Sequence, residues 1–290
     1  GAVNLLNAMK ISGRDKDGLG IGFLNAITEK TMATATNSID NSTRQVEVSP
    51  LTNYNVMVFD QRFNQNSSVT FINTNVTRNG SFRDANVTGL LFDLNNKTNT
   101  YNLSGGLKSS SINDVENKNG YNASLYFAET NGKFRYSFGS EYMSKDFEIN
   151  DLGINFRTNY YSLSGNTNFR ILNPNKTFNT FRINLNSYFE FYTPTNQIQA
   201  SNFNVNLNST NKKNHYFGAG INFNPFKNYD YYEPRVANRY FVNPTNVGGF
   251  LYFSSNYNNK FAVDFEPFIT HVINENRYEA GVNISPRYRF

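Results

Sequence analysis

Apolar residues recur at every second position over most of the chain. From Phe181 the set runs Phe181, Ile183, Leu185, Phe189 and Phe191, while Arg182, Asn184, Asn186, Tyr188 and Glu190 take the alternate places. A helix would space its apolar residues three and four apart, so a spacing of two predicts a strand with one apolar and one wet face. The same alternation sets Phe203, Val205 and Leu207 against Asn202, Asn204, Asn206 and Asn208. It sets Tyr121, Ala123, Leu125 and Phe127 against Asn122, Ser124 and Tyr126, and Phe261, Val263 and Phe265 against Asp264 and Glu266. Tyr161, Leu163, Phe169 and Ile171 share a face with Gly165 and Thr167.

Short clusters of Asn, Gly and Lys separate these runs, at Gly13–Gly18, Asn64–Asn66, Asn95–Thr98, Thr130–Lys133, Asn173–Lys176 and Asn258–Lys260. Turns of that length join neighbouring antiparallel strands as hairpins. The pattern predicts strands near 2–12, 18–28, 53–62, 67–77, 86–95, 99–110, 119–129, 133–144, 155–172, 177–193, 197–210, 214–225, 246–257, 261–272 and 276–290. That is a meander of about 14–16 strands in a single domain, 1–290, with no helical periodicity. Two stretches interrupt it: 29–52, polar and rich in Thr and Ser, reads as a long exposed loop, and 226–245 reads as a second, aromatic one.

Strand length then bears on the environment. Soluble strands average about five or six residues, whereas a tilted membrane strand needs about nine to eleven. Hydrocarbon leaves no unpaired backbone group unpenalised, so a sheet spans a bilayer only by closing on itself. The expectation is an all-β, antiparallel transmembrane β-barrel, or part of a larger one, with the apolar faces toward lipid and the Asn-rich faces toward a wet lumen. A soluble β-sandwich or adhesin is the competing fold. Val282, Ile284, Tyr288 and Phe290 fall on one face of the last strand, which Pro286 makes an edge or bulged strand.

Composition narrows the chemistry. The chain has 290 residues, no Cys, no Trp, two His, 19 Tyr and 27 Phe, and a net charge of +5. Roughly 50 Asn is several times an ordinary share. Lack of Cys excludes disulfides and thiolate metal sites, and His215 and His271 alone supply little for a zinc centre or a Ser-His nucleophile. No metal and no cofactor is expected. The positive charge is dispersed, with no basic arm for nucleic acid. Aromatics at 16% indicate a chain that buries surface rather than a disordered one.

Few motifs carry chemistry. Gly18-Leu-Gly-Ile-Gly22 lacks the following helix that a phosphate loop needs, since Phe23–Ile27 continues as strand. Asp15 and Asp17 offer too few oxygens for calcium, so turn chemistry is the simpler account. Arg182, Glu190, Asp264 and Glu266 sit on wet faces and read as lumen charges; no catalytic pair can be chosen among them, and an enzymatic role is disfavoured. The ligand-binding candidates lie in the aromatic loop: Tyr229, Tyr231, Tyr232, Glu233, Arg235, Arg239 and Tyr240. Exposed Tyr rings stack on sugar faces and Arg bonds hydroxyls or carboxylates, against the alternative that the loop folds into the mouth and packs there, with Glu233 and an Arg paired.

Several segments resemble one family: Ile11–Ile27 (ISGRDKDGLGIGFLNAI), Pro50–Val56 (PLTNYNV), Thr74–Arg78 (TNVTR), Asn99–Gly105 (NTYNLSG) and Tyr231–Arg235 (YYEPR). These resemble outer-membrane proteins of Bacteroidota in which a carbohydrate-binding family 9-like domain precedes a β-barrel domain of unknown function. The chain is similar to the central barrel portion. The resemblance implies a bacterial outer-membrane location and outer-membrane lipid as a partner, together with glycans or other outer-membrane proteins. Three functions are therefore carried forward: a pore or surface protein handling glycans or small solutes, a scaffold barrel in a larger assembly, and a membrane-associated hydrolase.

Overall fold

A computed structural model describes residues 3–290; the opening residue of the first expected strand lies outside them. The strands are β1 (Leu5–Arg14), β2 (Leu19–Thr28), β3 (Thr31–Thr36), β4 (Thr43–Ser49), β5 (Thr52–Phe63), β6 (Ser67–Arg78), β7 (Asp84–Asn95), β8 (Tyr101–Asn113), β9 (Lys118–Glu129) and β10 (Phe134–Met143). They continue as β11 (Tyr160–Ile171), β12 (Phe178–Tyr192), β13 (Gln197–Asn211), β14 (Tyr216–Asn224), β15 (Asn228–Asp230), β16 (Phe241–Asn243), β17 (Asn246–Ser254), β18 (Phe261–Val272) and β19 (Arg277–Tyr288). No helix occurs among the described residues.

Fifteen of these strands form one antiparallel sheet in the order β1-β2-β5-β6-β7-β8-β9-β10-β11-β12-β13-β14-β17-β18-β19. They correspond one to one with the fifteen expected from alternation. The order is open: β1 and β19 each have a neighbour on one side only, so these pairings do not close the barrel the sequence suggested. The two interruptions are corrected as well. Each holds a small hairpin, β3–β4 within 29–52 and β15–β16 within 226–245. A Thr34–Gln45 hydrogen bond of 2.9 Å and a Lys30–Glu47 ion pair of 2.8 Å help hold the first.

Connection lengths are unequal. In an antiparallel meander successive connections alternate between the two ends of the strands. At one end none exceeds six residues, the longest being 172–177 and 255–260. The other end carries all three long connections, 29–51, 144–159 and 225–245.

The chain divides into two compact units, Gly1–Lys97 with Leu103–Leu125 and Tyr142–Asn159, and Thr98–Asn102 with Tyr126–Glu141 and Tyr160–Phe290. The expectation of one continuous meander holds for strand order, but this division was not legible in the sequence.

In the second unit alternation and exposure are inverted relative to a water-soluble core. Ile183, Leu185 and Ile221 on the apolar face are 37%, 50% and 58% exposed, whereas Asn168 and Asn184 on the polar face are 5% and 7% exposed. No second large sheet covers the apolar face among the described residues.

Candidate functional site

Register arranges the apolar face of the second unit into rows. One aliphatic row runs Leu185–Val205–Ile221–Gly249–Ile269–Ala280, and the next runs Ile183–Leu207–Ala219–Leu251. An aromatic row bounds each side of this pair. On one side lie Phe181, Phe217, Phe253 and Phe265; on the other lie Phe203, Phe223, His271 and Tyr278. Phe217 and Phe253 pack with ring centroids 5.2 Å apart, and His271 stacks on Tyr278 at 4.4 Å. Phe217 and Phe223 lie on one strand six residues apart, so the aromatic rows are about 20 Å apart along it.

The polar face is a carboxamide ladder. Asn184 donates to Asn206 at 2.7 Å, Asn186 to Asn204 at 3.0 Å, Asn202 to Asn224 at 3.0 Å, and Asn224 to Asn246 at 2.8 Å. Each amide finds its partner directly across a strand pair, which accounts for buried Asn without a desolvation penalty. The expected lumen charges all lie on this face. Arg182 Nε donates to Asn184 at 2.8 Å, and Glu190 accepts the Tyr188 hydroxyl at 2.8 Å. These two are eight residues apart on one strand, about 27 Å, and are not brought together. Asp264 accepts the Tyr257 hydroxyl at 2.6 Å and has Arg287 at 3.6 Å, while Arg287 lies 4.4 Å from the centre of the Tyr257 ring. Glu266 stands opposite Asn283, one rung from Asp264.

The aromatic loop folds back against β12 and β13. Tyr231 stacks on Tyr192 at 4.1 Å and donates to Gln197; Tyr240 packs on Tyr231 at 5.3 Å and on Tyr229 at 5.2 Å. Tyr232 is half-buried, near Gln199. Asp230 caps the turn by accepting the backbone N–H groups of Tyr232 and Glu233. Glu233, Arg235 and Arg239 are exposed, and Glu233 makes no ion pair with either arginine among the described residues.

The first unit departs from the expected division of faces. Ile21, Phe23, Met57, Phe59, Val69 and Phe71 share one face with an Asn cluster, in which Asn25 donates to Asn55 at 2.8 Å and Asn73 to Asn86 at 3.1 Å. The opposite face carries Val56, Val58, Ile72 and the fully buried Val76. Asn-rich positions here therefore lie beyond an apolar band on the same face, not behind it.

Sequence reasoning missed a latch in this unit. The connection 144–159 was expected to join the strand at 155, yet β11 begins at Tyr160. Phe147 is buried where a Cβ on Gly120 would overlap its backbone, and Ser110 Oγ accepts the Glu148 N–H at 3.0 Å. Arg78 pairs with Asp151 at 2.6 Å, and Arg83 pairs with both Asp151 and, at 2.9 Å, Glu148. Burial pushes the Asp151 carboxyl up, but hydrogen bonds from Arg83 and Arg78 with their charge outweigh it and hold the group below the usual carboxylate range. The signal available was two arginines around a turn and an acidic stretch some seventy residues later, which no local pattern joins.

With the geometry in view, comparison adds one result. The model of a family described as a domain of unknown function, DUF5916, matches residues 1–290. The chain belongs to that family. No curated protein and no solved structure matches this DUF5916 chain. Among its described residues no cluster of His, Asp or Glu has the arrangement to hold a metal ion.

Proposed function

We propose that this DUF5916 chain is the membrane-embedded sheet of an outer-membrane β-barrel that passes or presents small polar solutes, glycans among them. The observation that carries the reading is the pair of outward aliphatic rows bounded by aromatic rows. With strands tilted about 40°, a separation of about 20 Å along the strand becomes about 15 Å of height, and rings beyond those rows extend the apolar band toward the roughly 25 Å of a barrel's hydrocarbon belt. Phe and Tyr suit the boundaries because an amphipathic ring bridges acyl chains and headgroups. Long connections at one strand end and tight turns at the other are the pattern of such barrels. The Asn cluster beyond the apolar band in the first unit lies near that long-loop end, where a rim would stand in water.

Parity sets how such a sheet would close. Fifteen alternating strands leave β1 and β19 pointing the same way, so direct closure makes a parallel pair, whereas antiparallel closure takes an odd number of further strands. Either satisfies the unpaired edges that lipid forbids. The resemblance to Bacteroidota outer-membrane proteins supports the location. A second reading, a sealed scaffold barrel, is favoured by the latch at 144–159, held by Phe147 and two arginines.

Reconstitution into planar bilayers separates these. An open pore gives steady ohmic current that falls as neutral polymers of increasing size are added; a sealed barrel gives membrane insertion without current. A chain that stays monodisperse in buffer without detergent and leaves liposomes empty would remove both.

A further inference from the structure

We propose a saccharide-binding site on the polar face of β13, β14, β17, β18 and β19, a cavity of about 810 Å³ in the range of small-molecule pockets (~300–1,000 Å³). The inference deepens the reading above, because it needs this face to meet water.

Two rungs of the sheet build it. In the first, Phe250 and Phe268 are cross-strand neighbours, flanked by Gly220 opposite Phe250 and Gly281 opposite Phe268. A Cβ on either glycine would overlap the adjacent ring, so each ring lies down across a bare stretch of backbone. Both rings are nevertheless exposed, Phe250 at 38% and Phe268 at 43%, on a face whose other positions are mostly Asn, Ser, Thr, Tyr, Gly and charged residues. Flat apolar surface is thus presented where water is expected.

Hydrogen-bonding groups occupy the next rung, about 7 Å along the strands. Asn208 faces Gly218, Gly218 faces Tyr252, and Glu266 faces Asn283. Tyr216 donates to Asn208 Oδ1, and among the described residues the Asn208 amide N–H groups have no acceptor. Among the described residues the side chains of Tyr252, Glu266 and Asn283 form no hydrogen bond with the protein. The set offers donors and acceptors together, beside apolar rings. A pyranose fits both: its C–H face stacks on a ring, and its equatorial hydroxyls both donate and accept. An organic cation would satisfy Glu266 and the ring faces but would leave the amide donors unmatched.

The test uses the full chain in detergent micelles, titrated calorimetrically with maltotriose, cellotriose, laminaritriose and chitotriose, and separately with tetramethylammonium. At least one trisaccharide should bind, and Phe250→Ala or Phe268→Ala should weaken it ten-fold or more. Glu266→Gln, which keeps hydrogen bonding and removes charge, should change that affinity less than three-fold. Silence from all four sugars up to 10 mM with a native circular-dichroism spectrum overturns the proposal. So does binding of tetramethylammonium alone, abolished by Glu266→Gln, or sugar binding indifferent to both Phe substitutions. Liposome insertion, measured in parallel, reports on the membrane reading independently of any sugar heat.

Discussion

Placing a charge in the aliphatic rows is the sharpest trial of the membrane assignment. Leu185 and Ile221 lie in one aliphatic row, about 13 Å and 7 Å along the strand from the flanking aromatic rows, hence close to the centre of the apolar band. An arginine at a barrel's lipid-facing midplane costs about 2–4 kcal/mol, falling to about 0–1 kcal/mol at the interfaces. Leu185→Arg and Ile221→Arg should therefore each destabilise the folded state in liposomes by about 2–4 kcal/mol, and Phe217→Arg by less despite losing a ring. If water surrounded this face, the same changes at half-exposed positions would stay within about 0.5 kcal/mol. The measurement is equilibrium folding into lipid vesicles across a urea gradient, followed by circular dichroism and by heat-modifiable gel mobility because the chain has no Trp. Equal, small effects at Leu185, Ile221 and Phe217 would refute the assignment.

Other expectations follow from the contacts. Asp151→Asn removes the charge that Arg78 and Arg83 share, leaving Arg78 without its ion-pair partner and Arg83 with Glu148 alone; the latch should loosen by about 2 kcal/mol, seen as faster hydrogen exchange in 144–159. Because the Asp151 carboxyl is lowered on folding, its contribution is complete above the ordinary carboxylate value and disappears as pH falls through the lowered one. Exchange protection of the latch should thus be flat between about pH 5 and 8 and collapse below about pH 4. Asn204→Ala interrupts the ladder, stranding the Asn186 donor and the Asn222 acceptor, and should cost about 1–3 kcal/mol in a denaturant titration. Tyr192→Ala deletes the ring under Tyr231, worth about 0.5–1.5 kcal/mol beyond buried area, and should speed proteolysis within 225–245 while leaving sheet content unchanged.

Alternation made the strands readable because each needs only its own residues to declare a face, as Phe181, Ile183 and Leu185 do. The hairpin β3–β4 was hidden because β3 is Thr and Ala throughout but for Met32 and so declares no apolar face, leaving the short Val46 and Val48 alternation of β4 without a partner. Asn155–Asn159 read as an extension of β11, but Asn155 is engaged by the latch, donating toward Met143 Sδ, and Asn159 adopts φ 64°. Phe250 and Phe268 escaped for a different reason: Phe250 lies in the unbroken apolar run Phe250–Phe253, and Phe268 follows Pro267, so neither showed which face it takes. Alternation placed Asp264 and Glu266 on the polar face, while their different engagement depends on Tyr257 and Arg287 from other segments.

The ring of Phe268 over Gly281 also bears on strand alignment. β13 carries Asn at 202, 204, 206 and 208, so sliding it two residues past β12 still sets amide against amide, and the ladder tolerates the error. β19 has a single glycine on the corresponding face, and a two-residue slide would drive Phe268 into Glu279 or Asn283. A lone missing side chain thus acts as a detent, and the strand pair with the least repetitive chemistry is the one that fixes where its neighbours stop.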